Sequence, residues 1–135
     1  MPSGQCMCGA IKLQVSGDPV AVGLCHCLDC RKTSGSTHAT NWFVPEAMFS
    51  VEGNPKTFET TANSGSIVTS YFCETCGVTM YRAGTGMPGM MFVKAGVLDD
   101  PELINSFVPQ GEIFVSRRAE WLSPISGASQ KEEMI

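Results

Sequence analysis

The sequence predicts a mostly β domain whose short strands are gathered around metal. Glycine and proline, 14 and 8 of the 135 residues, cut the chain into short segments. Those segments are rich in β-branched and aromatic residues. All seven cysteines fall in three clusters: Cys6 with Cys8, Cys25 with Cys27 and Cys30, and Cys73 with Cys76.

The elements follow in order. Ala10–Ser16 alternates Ile11, Leu13 and Val15 with Lys12, Gln14 and Ser16, the pattern of a half-buried strand. Gly17-Asp18-Pro19 turns the chain into a second strand, Val20–His26, which delivers Cys25 and Cys27 at its end. Leu28–Thr33 forms a helical turn before the Ser34-Gly35-Ser36 loop. Thr40–Val44 is a strand that ends at Pro45, where a short helix starts with proline in its first turn. Phe49–Glu52, Thr57–Thr61, Ser66–Phe72, Val78–Arg82 and Met90–Lys94 are further strands. Asp99–Leu103 reads as a capped helical turn, and Ser106–Val108 and Ile113–Val115 as late strands. The chain turns polar after Trp121-Leu122. One domain over residues 1–125 and a loose polar tail over 126–135 are therefore expected.

A domain of this size buries a core without needing staples. The cysteine number is odd, and Met1-Pro2-Ser3-Gly4 begins no secretory signal. No apolar run reaches membrane-spanning length. The expectation is a cytoplasmic protein without a membrane partner, whose clustered thiols bind metal or do redox chemistry. The formal charge is −4 with neutral thiols. Zinc held by four thiolates leaves about −2 and by three about −1, so the loaded protein is more acidic still. That disfavours a nucleic-acid partner.

Structural zinc sites take four ligands, often all thiolate, and catalytic ones take three with a position left open. Four plus three uses every cysteine once. Cys6, Cys8, Cys73 and Cys76, two pairs far apart in sequence, suit a cross-linking site. Gly9 and Gly77 follow the pairs and permit turns that aim N–H groups at sulfur. The triplet Cys25, Cys27 and Cys30 can supply three ligands alone. The competing readings are one structural site with spare buried thiols, or a redox pair at Cys73 and Cys76.

His26 lies between two ligands and in an extended segment points away from them, so a packed or hydrogen-bonded histidine is expected. Burial is expected for His38 as well, ahead of an acid–base role. Asp29 serves backbone N–H groups in its turn. Arg31 and Lys32 either balance the thiolates or are solvated.

Three ordered stretches then carry a resemblance. Gly4–Ile11 (G-Q-C-M-C-G-A-I), Cys25–Ser36 (C-H-C-L-D-C-R-K-T-S-G-S) and Phe72–Gly77 (F-C-E-T-C-G) resemble the glutathione-dependent formaldehyde-activating enzyme family, whose domain centromere protein V shares. Phe92–Pro101 and Ile113–Trp121 are similar to the same family, so the likeness runs from Gly4 to about Leu122. The resemblance implies a β-tent fold of short antiparallel strands with two zinc ions per chain. It implies a structural site at Cys6, Cys8, Cys73 and Cys76 and a catalytic site at Cys25, Cys27 and Cys30. It also implies a carbon–sulfur lyase acting on S-hydroxymethylglutathione, the adduct of glutathione and formaldehyde. A substrate of that kind carries carboxylates, for which Arg31, Arg82, Lys94, Arg117 and Arg118 are the basic candidates. Trp42 and Phe43 are read as core rather than pocket wall, and Met87, Met90 and Met91 as core or flexible rim. The alternatives are a zinc enzyme of the same fold acting on another small molecule, and a non-catalytic zinc module that binds a protein.

Overall fold

The computed structural model describes residues 1–133. Met134 and Ile135, the end of the expected tail, lie outside the described residues. A three-stranded antiparallel sheet is built from β1 (Ser3–Gln5), β2 (Lys12–Val15) and β5 (Phe49–Glu52), in the order β1-β2-β5. The alternation of β2 is realised: Leu13 and Val15 are buried, Lys12 and Gln14 exposed. Leu13 stands opposite Val51 and Val15 opposite Phe49, so both strands present their apolar positions to one side.

The second sheet has eight strands. Its members are β3 (Ala21–Cys25), β4 (Ala39–Pro45), β6 (Lys56–Thr61), β7 (Ile67–Phe72), β8 (Thr79–Gly84), β9 (Met90–Lys94), β10 (Gly111–Ile113) and β11 (Ser129–Gln130). They run in the order β11-β10-β3-β4-β9-β8-β7-β6. Neighbours pair antiparallel from β3 to β6, as expected. On the other side β10 pairs parallel with both β3 and β11. The connections include two short helices, α1 (Leu28–Ser34) and α2 (Glu102–Ser106), and a 3-10 turn at Glu46–Met48 just after Pro45.

The core lies between the two sheets. Trp42 and Val44 of β4, Val93 of β9 and Met80 and Tyr81 of β8 meet Ile11, Leu13 and Val15 in one buried cluster. Burying a side chain of the Val, Leu or Phe type stabilises by about 1.5–3 kcal/mol, so this cluster dominates the fold's energetics. Trp42 is core, as expected. Phe43, one residue on, faces the opposite side of the sheet, where its ring meets Phe92 edge-on at 5.0 Å.

Three sequence expectations are corrected. Ser106–Val108 is not a strand: Ser106 ends α2, and Phe107 leaves regular structure to set its ring against Trp42 at 5.0 Å. Core packing wins there over strand propensity, and Pro109 cannot donate to a ladder. The strand expected at Ile113–Val115 ends at Ile113, because Phe114 turns into the left-handed region (φ 55°) and Val115–Arg117 forms one 3-10 turn. The end of the chain is not loose through residue 133. β11 adds to the sheet, and the N–H groups of Val115 and Phe114 donate to Lys131 and Glu133 carbonyls at 3.0 and 3.2 Å.

Candidate metal centres

The first cluster forms where two matching turns meet. Cys6 and Cys8 follow β1, and Cys73 and Cys76 follow β7. In one turn the Cys6 N–H donates to the Ile11 carbonyl (3.0 Å) and the Gly9 N–H to the Cys6 carbonyl (3.1 Å). In the other, the Cys73 N–H donates to Val78 (2.9 Å) and the Gly77 N–H to Cys73 (2.8 Å). Gly9 and Gly77 both sit at φ 79°, where a side chain would be strained. The Ile11 N–H donates to Cys6 Sγ at 3.3 Å. Cys8 Sγ lies 3.6 Å from Cys6 Sγ and 3.6 Å from Cys73 Sγ, and all four sulfurs lie within 4.8 Å of one another. Tetrahedral zinc with sulfur at about 2.3 Å needs sulfurs about 3.8 Å apart, so the four thiols fit that ion.

The second cluster sits at the end of β3. Cys25 is the last residue of β3, Cys27 caps α1, and Cys30 lies in the first turn of that helix. Their sulfurs also lie within 4.8 Å of one another, and among the described residues no fourth cysteine, histidine or carboxylate joins them. Cys25 and Cys30 are buried and Cys27 half-buried. The Cys30 N–H donates to Cys27 Sγ at 3.3 Å. Hydrogen bonds from the Cys25 and Cys30 thiols, aided by the Cys30 and Asp29 N–H groups, hold the Cys27 thiol far below its usual range against the opposing effect of burial. Cys25 is pushed up by its hydrogen bonds to Cys27 and Cys30 and by burial. The donor set is sulfur alone, which suits zinc.

The histidines belong to neither cluster. His26 is fully buried and its Nε2 lies 2.8 Å from Glu112 Oε1. The other oxygen of Glu112 accepts from the Ile125 N–H (2.9 Å) and the Gln130 side chain (2.7 Å), with Arg118 at 3.6 Å. Burial alone would raise the Glu112 carboxyl; the bonds from Ile125, Gln130 and His26 and the charge of Arg118 outweigh it and hold the group down at about 2. His38 is half-buried, with its ring centroid 5.6 Å from that of His26 and Nδ1 3.0 Å from Thr37 Oγ1. Burial, then the charge of His26, push its pKa down.

The basic candidates divide sharply. Arg31, Lys32 and Arg117 are exposed, and Arg118 serves Glu112. Arg82 and Lys94 are each only 7% exposed. Asp29 is exposed and makes no side-chain hydrogen bond to the backbone of its turn. Glu112, Asn41 and Ser70 were not anticipated. In the sequence Glu112 stands directly before the apolar run Ile113-Phe114-Val115.

The family model described as glutathione-dependent formaldehyde-activating enzyme matches residues 1–117. The chain belongs to this family. No curated protein matches this glutathione-dependent formaldehyde-activating family member. Among solved structures, a crystal structure of a Rhodobacter sphaeroides protein matches with a TM-score of 0.60 at 20% identity. The match covers 78% of this chain and 96% of that one, a likeness of fold. Among the described residues no helix is long and apolar enough to cross a membrane.

Proposed function

We propose that the chain is a zinc-dependent carbon–sulfur lyase that interconverts a thiol–aldehyde adduct, S-hydroxymethylglutathione in the first instance, with the free thiol and formaldehyde. Family membership supports the reaction class. The observation that carries the reading is the contrast between the clusters: four sulfurs converge in one and three in the other. Cys6, Cys8, Cys73 and Cys76 would hold a structural ion, and Cys25, Cys27 and Cys30 a second with one position left for substrate. Zinc in the second site would supply a point that stabilises a bound thiol as thiolate and polarises an adjacent oxygen.

In the cleavage direction the C–S bond breaks and sulfur keeps the electron pair, the adduct's hydroxyl gives its proton to water as the carbonyl forms, and the sulfur takes a proton back from water when it leaves as the free thiol. The chain's own residues prepare for this. The Cys30 N–H, aimed at Cys27 Sγ, favours negative charge there. Pairing of Cys25 with Ala39 across β3 and β4 fixes the base of the trio, and the burial of Cys25 and Cys30 keeps water from two of its sulfurs. His26 is engaged by Glu112 instead, and among the described residues no fourth ligand joins the trio.

The test is exchange between labelled formaldehyde and its glutathione adduct, followed by NMR with the two-zinc protein. The expected result is exchange faster than the spontaneous rate, abolished by Cys25→Ser. Exchange at the spontaneous rate with both sites loaded would sink the reading.

A further inference from the structure

The face of the large sheet turned away from the core carries a line of buried polar side chains. Residues opposite one another in antiparallel strands share a face, and alternate residues along a strand do too. Cys25 pairs with Ala39, and Ala39 shares its face with Asn41. Asn41 pairs with Lys94, Lys94 shares its face with Phe92, Phe92 pairs with Arg82, and Arg82 pairs with Ser70. Cys25, Asn41, Lys94, Arg82 and Ser70 therefore form one diagonal, on the side opposite Trp42 and Val93. Lys94 is two strands over and two residues along from Cys25, about 12 Å between backbone positions.

Lys94 Nζ donates to Asn41 Oδ1 at 3.0 Å, and Arg82 Nε donates to Ser70 Oγ at 2.9 Å. Both partners are neutral. Among the described residues no carboxylate lies within ion-pair distance of either cation. Among the described residues the two terminal nitrogens of Arg82 make no hydrogen bond, and they are not shielded from solvent. Burying a cation without a counter-charge is costly, and two on one diagonal more so. Three thiolates around zinc leave about one negative charge, which offsets one cation and not both. Burial pushes the Lys94 ammonium down, the thiols of the trio oppose this, and the charge of Arg82 adds to it, so the two cations sense both the trio and each other.

Building on the thiol-lyase reading, we propose that Arg82 and Lys94, held by Ser70 and Asn41, bind a carboxylate of the substrate whose sulfur occupies the site of Cys25, Cys27 and Cys30. The substrate class is then a carboxylated thiol. The Arg82 fork takes a carboxylate through two parallel N–H donors, and Lys94 adds a point charge between the fork and the trio.

The experiment is calorimetric titration of the zinc-loaded protein with glutathione and with glutathione diethyl ester, in which both carboxylates are blocked. Glutathione should bind about 10- to 100-fold more tightly than the ester. Arg82→Gln and Lys94→Gln should each reduce that preference while two zinc ions per chain remain by native mass spectrometry. Equal binding of the two compounds, or a preference that both variants keep in full, overturns the anion site and leaves the thiol-lyase reading standing. Absence of binding by either compound overturns both. The comparison of the two compounds on the parent protein needs no variant and can overturn the anion site even where a substitution disturbs folding.

Discussion

Replacing Glu112 with glutamine changes one oxygen for an NH₂ group at a site that is 1% exposed. The carboxylate accepts from His26 at 2.8 Å, from Ile125 at 2.9 Å and from Gln130 at 2.7 Å. The Ile125 N–H cannot reverse its role, so the new carbonyl oxygen must stay on that side. The NH₂ then faces His26 Nε2, which must accept and pass its proton to Nδ1, a buried atom with no hydrogen-bond partner. Charge-assisted hydrogen bonds contribute about 1.5–3 kcal/mol each, and neutral ones about 1 kcal/mol. Weakening two and misdirecting a third should cost about 2–4 kcal/mol. The assay is urea unfolding of zinc-loaded parent and Glu112→Gln, with hydrogen exchange at the Ile125 and Lys131 amides as a local readout. The folded carboxyl titrates at about 2 against an ordinary 4.5, so its contribution is complete above about 4.5 and is lost as pH falls from there toward 2. The thiolate ligands also take up protons in acid. The comparison is therefore made at about pH 8, clear of both acid effects. A variant within about 0.5 kcal/mol of the parent, with unchanged exchange at Ile125, would refute the reasoning.

Three further outcomes are expected. Cys73→Ser should leave the protein without cooperative unfolding in near-ultraviolet circular dichroism, because a structural zinc site contributes about 10–16 kcal/mol and whole domains are stable by about 5–15. Cys27→Ser should keep the fold and one zinc by native mass spectrometry, while adduct exchange by NMR falls to the spontaneous rate; a variant that retains two zinc ions and full exchange would contradict this. Trp42→Ala, at a side chain 1% exposed, should lower stability to urea by about 3–5 kcal/mol through the cavity left beside Phe107.

Much of the antiparallel framework was legible because its cues are local. The alternation of Ile11, Leu13 and Val15 reports burial on one side, and strand ends at Pro45 and Gly53 follow from backbone restrictions. The two thiol groupings were legible as well, since spacings of one and two residues make compact chelates. What escaped was non-local. Nothing in Gly111–Ile113 announces a parallel partner 88 residues upstream, the separation between Gly111 and Gly23. Ser129–Gln130 has no apolar face and enters the sheet through backbone bonds and the reach of Gln130 to Glu112. Glu112 becomes intelligible only once His26, Ile125 and Arg118 stand around it. The same holds for Arg82 and Lys94: a list of basic residues cannot separate solvated cations from buried ones, whereas strand register places these two on the diagonal with Cys25.

The parallel placement of β10 beside β3 also sets an order of events during synthesis. The four-thiol site can close once residue 76 has left the ribosome, and β4 can pair with β3 earlier still. The far edge of β3, and with it the buried seat of His26, waits for Glu112 and the residues up to Gln130. Domains emerge amino end first. A nascent chain can therefore meet its first metal before β8 and β9 join β7 to β4, and the segment bearing the trio is locked only by the last residues made. Ribosome-bound intermediates should then hold one ion before they hold two.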